Sequence, residues 1–206
     1  MDKGLIVRTI VVGPLQTNCY VLGCANTYEA VIIDPGADCA KINAVVKQEK
    51  LKLKAVVLTH GHYDHIGCLD SFDLPVYIHA DDAEMLTNSQ KNLSANFGIG
   101  QEFNPNLKIL KDDDIVSVGD LRLKVIHTPG HSRGGICLQV RDVLFSGDTL
   151  FCHGVGRTDL PGGSFKALLD SINNKLIKAL EPETLVFPGH GPSTTISQET
   201  RENNYL

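Results

Sequence analysis

Short apolar runs separated by turn residues dominate the pattern of hydrophobic and polar positions along the chain. Runs of this kind, bounded by Gly, Pro, Asn or Asp, predict β-strands rather than helices. The pattern predicts strands at residues 5–12, 19–22, 30–33, 55–58, 76–78, 121–126, 136–140, 143–145 and 185–187. The run at 121–126 alternates apolar with basic residues, as expected for a strand with one buried face.

A helical period, with apolar residues three or four positions apart, occurs in two longer segments. Asp38 is placed to cap a helix that reaches about residue 50, and Ser164 to cap one over 165–180. A shorter helix is predicted at 81–86, followed by an irregular, Asn-rich loop at 87–106. Strands and helices therefore mix in both halves of the chain, which favours a layered α/β fold.

The chain has no Pro-, Gly- or Ser-rich linker and no repeat of fixed period, so we predict a single domain over residues 1–206. A chain of 206 residues is long enough for a real core, because this size buries roughly 70% of the unfolded surface. The apolar fraction of 42% and the charged fraction of 21% exclude a disordered or fibrous protein.

The net charge and the cysteine spacing indicate which classes of partner the protein can bind and in which cellular compartment we expect it. The balance of 19 basic against 24 acidic residues gives a net charge of −5, and nucleic-acid binding needs concentrated Lys and Arg. The apolar runs are too short to cross a bilayer, and the N-terminus lacks a signal-peptide pattern. We therefore predict a cytoplasmic protein that binds neither nucleic acid nor membranes. The six cysteines have no CxxC spacing and are predicted to be reduced thiols.

Four potential metal ligands follow the strand at 55–58 within six residues: His60, His62, Asp64 and His65. In an extended backbone His60 and His62 point the same way and can reach one ion. The other two lie one turn further on, where they can reach a second ion. Imidazole and carboxylate groups suit zinc, and also iron or manganese. The alternative, a polar loop with surplus histidines, is disfavoured because the whole chain has only eight histidines.

Three further strands each end in a tight turn and one potential ligand: His131, Asp148 and His190. Ligands delivered from several strand ends converge at one edge of a sheet, where open α/β folds place their sites. We therefore predict that all seven residues form one site.

The predicted ligands divide into two sets of three that share a bridging carboxylate, Asp148: His60, His62 and His131 in one set, and Asp64, His65 and His190 in the other. Such a bridge holds two ions roughly 3.5–4 Å apart in two-metal hydrolases. Two dications facing two carboxylates leave net positive charge, which favours a bridging hydroxide as the nucleophile at neutral pH. We therefore predict catalytic roles for Asp64 and Asp148.

The HxHxDH motif at 60–65, together with the three later ligands, resembles the metallo-β-lactamase superfamily over about residues 5–192. The resemblance implies an αββα sandwich, with two mixed β-sheets flanked by helices and a dinuclear site at one edge. The stretches 128–132, 146–150 and 156–163 resemble the glyoxalase II-like branch, which comprises the hydroxyacylglutathione hydrolases and their short bacterial relatives.

That branch implies a metal-dependent hydrolase of small-molecule thioesters such as S-lactoylglutathione, with two divalent ions, zinc before iron or manganese. Full-length glyoxalase II contacts glutathione through a C-terminal helical extension, whereas only 16 residues follow His190 here, so the substrate stays open. Cys68 also stands where this branch often has Gly. A persulfide dioxygenase with a single iron shares the Gly-Arg-Thr-Asp stretch, and a lactonase or a β-lactamase shares the ligands. The continuation Leu-Pro-Gly-Gly favours the hydrolases.

Four further residues near these motifs are candidates for supporting roles. Tyr63 is expected either to bind substrate or only to pack. Arg157 and Asp159 are expected to form an ion pair that braces the site, with a substrate carboxylate as the alternative partner of Arg157. Asp34 is interpreted as a turn residue, with the orientation of a ligand histidine as the alternative. The sequence predicts no oligomeric state.

Overall fold

The computed structural model describes residues 4–206, and these form two six-stranded sheets that face each other. The N-terminal sheet contains, in spatial order, Leu5–Val12, Thr17–Cys24, Glu29–Ile33, Lys52–Val57, Val76–His79 and Leu107–Leu110. The C-terminal sheet contains, in spatial order, Thr194–Thr195, Leu185–Pro188, Val143–Gly147, Ile136–Val140, Leu121–His127 and Ile115–Val118. A two-stranded ribbon, Leu150–Phe151 with Gly154–Val155, follows one strand of the second sheet.

Both sheets mix parallel and antiparallel pairs. In the N-terminal sheet the first three strands pair antiparallel and the later ones parallel. In the C-terminal sheet the parallel pair is Val143–Gly147 with Leu185–Pro188, and the other pairs are antiparallel. Parallel neighbours need a crossover connection. Three of these crossovers carry α-helices: Cys39–Gln48 and Tyr63–Ile66 on the N-terminal sheet, and Phe165–Ser171 on the C-terminal sheet.

The main core lies between the two sheets and includes Leu22, Leu123 and Phe145. A second apolar layer packs the outer face of the N-terminal sheet against helices Cys39–Gln48 and Tyr63–Ile66. A third packs the C-terminal sheet against three helical segments: Phe165–Ser171, the π-helical turn Ile172–Ile177, and Ile196–Glu202. The fold is therefore the αββα sandwich that the family resemblance implied.

All nine predicted strands are present, with ends that differ by up to three residues. The pattern missed the strands Leu107–Leu110, Ile115–Val118, Leu150–Phe151, Gly154–Val155 and Thr194–Thr195 and the helices Tyr63–Ile66 and Ile196–Glu202. Leu107–Leu110 is an edge strand with three exposed residues, so it lacks the alternation of a half-buried strand. The predicted helix at 165–180 is α-helical only to Ser171 and then becomes the π-helical turn.

The other predicted helices are present, but they differ from the prediction in helix type or in how the first turn is capped. The segment predicted as a helix at 81–86 is the 3-10 helix Ala80–Thr87, and the loop at 87–106 contains the 3-10 turn Ser94–Phe97. A further 3-10 turn is Leu69–Ser71. Asp38 precedes the helix Cys39–Gln48, but its carboxylate accepts a hydrogen bond from the Gly13 amide instead of capping the helix.

The prediction of six reduced cysteines is wrong for Cys39 and Cys68, which form a disulfide. They are 29 residues apart in sequence, but the fold brings their Cα atoms to 5.6 Å. The Cys68 amide also donates to the Pro35 carbonyl, which places the segment after the ligand motif beside the start of the helix. Such proximity depends on the tertiary fold and cannot be inferred from cysteine spacing. No helix within residues 4–206 is long and apolar enough to cross a membrane.

Candidate metal centre

The fold brings together all seven residues that the sequence predicted as ligands: His60, His62, Asp64, His65, His131, Asp148 and His190. The first four follow the strand Lys52–Val57, two in the loop and two in the short helix Tyr63–Ile66. The other three follow strands of the C-terminal sheet. The site therefore lies at one edge of the sandwich, beyond the ends of strands from both sheets.

One set of candidate ligands consists of three buried histidines, His60, His62 and His131. The ring centroid of His60 lies 4.8 Å from the ring centroid of His62 and also 4.8 Å from that of His131. The Nδ1 atom of His62 is 2.9 Å from the Nε2 atom of His131. One nitrogen of each ring thus faces a common point, as required to bind one ion.

The second set consists of Asp64, His65 and His190. The Oδ2 atom of Asp64 is 3.3 Å from Nε2 of His190 and 3.5 Å from Nε2 of His65. Asp148 lies between the two sets. Its Oδ1 atom is 3.5 Å from Nε2 of His65, and its Oδ2 atom is 3.5 Å from Nε2 of His131.

Three buried polar atoms of this cluster have no hydrogen-bond partner among residues 4–206: Nε2 of His60, Nε2 of His65 and Oδ1 of Asp148. Buried polar atoms are almost always paired, since leaving them unpaired is costly. All three point into the cluster of ligand atoms, and imidazole with carboxylate is the donor set of zinc, iron and manganese sites. The residues therefore fit divalent cations.

The outward-facing nitrogens of four histidines are held by hydrogen bonds. Nδ1 of His131 donates to the Arg157 carbonyl oxygen at 2.8 Å, and Nδ1 of His190 donates to the Leu15 carbonyl at 3.1 Å. Nδ1 of His65 donates to the Asp34 carboxylate, and Nδ1 of His60 donates to the Thr59 hydroxyl oxygen. A donor bond at Nδ1 fixes the tautomer that leaves the Nε2 lone pair free for a metal.

Asp34 contacts a candidate ligand histidine, as the alternative interpretation expected, and it is also a turn residue, because its carbonyl oxygen accepts from the Gly36 amide at 2.9 Å. Its Oδ2 atom accepts from Nδ1 of His65 at 3.0 Å and from the Thr59 hydroxyl at 2.6 Å. The Thr59 oxygen in turn lies 3.1 Å from Nδ1 of His60. Asp34 thus supports one histidine directly and another through Thr59. Its backbone is left-handed, with φ at 53°, a conformation that Asp tolerates better than most residues.

Two other supporting residues, Thr17 and Asp82, were missed by the sequence analysis. The Thr17 hydroxyl donates to Oδ2 of Asp64 at 2.9 Å. The buried Asp82 accepts from the Ser132 hydroxyl at 2.6 Å and from the Gly61 amide at 3.3 Å, which ties together two ligand loops. Neither residue lies in a ligand motif, and no local pattern in the sequence marks it.

Burial and charge divide the histidines into two electrostatic classes. Burial, reinforced by the neighbouring rings, lowers the pKa of His62 to about 3 and also lowers the pKa of His60. Burial alone would lower the pKa of His65 as well, but the carboxylates of Asp64, Asp148 and Asp34 outweigh it and raise that pKa to about 10. The carboxylates thus favour positive charge at their position, and a dication can supply it.

The remaining predicted residues surround the cluster. Tyr63 packs its ring against Phe97, with centroids 4.7 Å apart. Arg157 and Asp159 form an exposed ion pair at 2.7 Å, and the atom that contacts His131 is the backbone oxygen of Arg157. At Gly189 a side chain would not fit, because a Cβ atom would lie 2.1 Å from Oδ1 of Asp148.

Comparison with known proteins places this arrangement in a family. Residues 12–190 match the model of the metallo-beta-lactamase superfamily. The chain is 39% identical to the probable metallo-hydrolase YqgX of Bacillus subtilis, over 97% of this chain and 96% of the relative. It is 32% identical to the hydroxyacylglutathione hydrolase GloC of Haemophilus influenzae, over 97% of each chain.

Solved structures agree with this assignment. The BLEG-1 B3 metallo-beta-lactamase superposes with a TM-score of 0.91 at 40% identity, covering 98% of this chain and 99% of that one. TTHA1623 in a di-iron-bound form superposes with a TM-score of 0.86 at 36% identity, covering 97% and 100%. ETHE1 from Myxococcus xanthus reaches 0.79 at 31% identity, covering 97% and 83%. The chain therefore belongs to the metallo-beta-lactamase superfamily, whose members include metal-dependent hydrolases.

Proposed function

We propose that this protein is a dinuclear metallohydrolase that cleaves small-molecule thioesters. The observation that carries the proposal is the position of Asp148, which lies 3.5 Å from ligand nitrogens of both histidine-containing sets. A carboxylate shared in this way is the bridge expected of a two-cation hydrolytic site.

In the proposed reaction His60, His62 and His131 would hold one cation, and Asp64, His65 and His190 would hold the other. Cations bound there supply Lewis acidity and a water molecule acidic enough to attack at neutral pH. The protein keeps the ligands ready, because the bonds from Nδ1 to Arg157, Leu15 and Asp34 maintain the metal-binding tautomers. No serine or cysteine nucleophile is needed, so no acyl-enzyme accumulates.

The glyoxalase II-like motifs and the likeness to GloC support a thioester as the substrate class, with S-lactoylglutathione as the reference compound. The test is the rate of its hydrolysis, together with the metal content of the same sample. Turnover that rises with metal content to two ions per chain is expected. A preparation with two ions per chain that hydrolyses no thioester contradicts the proposal, and one iron per chain with no hydrolysis favours a dioxygenase.

A second candidate is hydrolysis of the cyclic amide of β-lactams, which the likeness to the BLEG-1 B3 metallo-beta-lactamase favours. The same ligand set serves either reaction, so the substrate has to be distinguished by rate. A chromogenic cephalosporin assayed with the same metal-loaded sample compares the two activities. A larger kcat/KM for the cephalosporin than for every thioester tested makes the lactam the better assignment.

A further inference from the structure

A cavity of about 300 Å³ opens beside the candidate metal centre. Its wall includes the candidate ligand Asp64 and also Thr17, whose hydroxyl donates to the Asp64 carboxylate. The hairpin turn that carries Leu15 also lines it, and the Leu15 carbonyl holds His190. A group placed in this cavity therefore contacts Asp64, one member of the set formed by Asp64, His65 and His190.

The side chains of the cavity wall contain no basic group within residues 4–206. The charged residues of the wall are Asp38 and Asp64, both acidic. Lys41, whose ammonium group donates to the Val11 carbonyl at 2.7 Å, is not part of the wall. Asp38, whose carboxylate accepts from the Gly13 amide, is the acidic group of the wall that is not a candidate metal ligand, and it disfavours an anionic group placed beside it.

The rest of the wall and its mouth are largely apolar. Leu15 and Ile99 line the cavity and are 45% and 50% exposed. Phe97, whose ring packs at a tilt against Tyr63 of the wall, is 59% exposed. Large apolar side chains left open to solvent around one cavity indicate a binding site for an apolar group.

We propose that this cavity binds the acyl group of the thioester and selects acyl chains that are apolar and carry no carboxylate. The inference rests on the proposed thioester hydrolysis and adds to it the acyl class. The acyl half is assigned to the cavity because common thiol carriers, glutathione among them, have net negative charge, which an acidic, apolar wall disfavours. The thiol carrier then lies outside the cavity, toward solvent.

The test uses two thioesters of the same neutral thiol, S-butanoyl- and S-succinyl-N-acetylcysteamine, which differ by one terminal carboxylate. The metal-loaded protein is expected to show a kcat/KM at least about tenfold higher for the butanoyl compound. Gln101→Arg places a cation in the wall and is expected to bring the ratio to within about threefold. Gln90→Arg, at an exposed position outside the wall, makes the same charge change and should leave the ratio unaltered.

A binding experiment separates this inference from the proposed function. The thioethers S-butyl- and S-(3-carboxypropyl)-N-acetylcysteamine resist hydrolysis, and their Kd values on the metal-loaded protein are measured by calorimetry. Tighter binding of the butyl compound, reduced by Gln101→Arg, supports the acyl site even if no thioester is turned over. Equal affinities for the pair, or a wild-type preference that Gln90→Arg and Gln101→Arg change alike, overturn it.

Discussion

Asp148 places carboxylate oxygens near imidazole nitrogens of both sets of candidate ligands. Besides its contacts with His65 and His131, its Oδ2 atom lies 3.6 Å from Nε2 of His190. The approach of the turn at Gly189 leaves no room for a side chain beside this carboxylate. The bridging role proposed for Asp148 therefore requires its negative charge and also the close approach of the backbone at Gly189.

Asp148→Asn removes the negative charge of the proposed bridge while keeping the shape of the side chain. Metal content is expected to fall below two ions per chain, and activity at least about 100-fold, since losing even a supporting contact of a metal ligand costs 10–100-fold. Elemental analysis and kcat/KM measure the two effects. Asp170→Asn, an exposed carboxylate on the helix Phe165–Ser171, serves as the control and should change neither. Wild-type metal content in Asp148→Asn would contradict the bridging role.

Asp34→Asn tests the positioning of His65. Asn also tolerates the left-handed backbone at this position, but its amide cannot accept as many hydrogen bonds as the carboxylate that serves His65 and Thr59. We expect metal affinity to fall about 10–100-fold, with a smaller effect on KM. Competition with a chelator measures the affinity. Asp113→Asn, also left-handed but exposed, is the matched control; equal effects of the two substitutions would show that Asp34 has no role in positioning.

At the scale of elements, the candidate ligands follow the ends of strands, and hydrogen bonds between loops fix the positions of these ligands relative to one another. The turn that carries His190 is anchored to the strand Thr17–Cys24, because the Asn18 side chain and the Tyr20 hydroxyl both donate to the Pro188 carbonyl. Asp82 similarly joins the loop after Lys52–Val57 to the loop that carries His131. These links couple the two sheets at the site.

The disulfide between Cys39 and Cys68 joins the helix Cys39–Gln48 to the segment just after the ligand helix. It closes a loop between positions 29 residues apart. In the chain-entropy model a loop of this length stabilises the fold by about 3–4 kcal/mol. Cys68, which stands where Gly is frequent in the branch, is thus part of a structural cross-link.

Replacing both cysteines, Cys39→Ser with Cys68→Ser, is expected to lower the free energy of unfolding by up to about 3–4 kcal/mol. Denaturant unfolding measures the loss, and a thiol reductant should lower the stability of the wild type by a similar amount. Cys152→Ser, a free and partly exposed thiol, should have little effect. Identical unfolding midpoints for wild type, reduced wild type and the double variant would show that the cross-link contributes nothing.

Individual elements show how far local pattern predicts structure. The strands at 5–12 and 136–140 have the predicted bounds, because buried apolar runs between turns are local signals. The helix after Ser164 begins as predicted, with the Ser164 hydroxyl accepting from the Ala167 amide. From Ile172 it continues as a π-helical turn, and Ile172 and Leu176 lie in the core against the C-terminal sheet.

At the scale of the whole molecule, the candidate centre joins the two sheets. Four ligands follow the N-terminal sheet strand Lys52–Val57, and three follow strands of the C-terminal sheet. Cations bound by residues from both sheets bind the folded state and not the unfolded chain. Their removal should therefore lower the stability of the entire fold.

Removing the metal with a chelator is expected to lower Tm by about 5–10 °C, since saturation at 100 times Kd contributes about 2.7 kcal/mol. Differential scanning calorimetry before and after chelation measures the shift, and restoring zinc, iron or manganese should reverse it. The Asp148→Asn variant, which is expected to bind less metal, should respond less to the chelator. A wild-type Tm that is independent of metal would show that the ions do not link the sheets.

The sequence by itself determined the nine main strands, the family and the seven candidate ligands. Each depends on residue types at short, fixed spacing, such as the four ligands within residues 60–65. Only the tertiary structure decided which groups support those ligands, because the contacts join distant positions: Asp34 to His65 across 31 residues and Leu15 to His190 across 175. The disulfide, Thr17, Asp82 and the acidic cavity wall were likewise decided by packing, since no local pattern encodes proximity between separate strands.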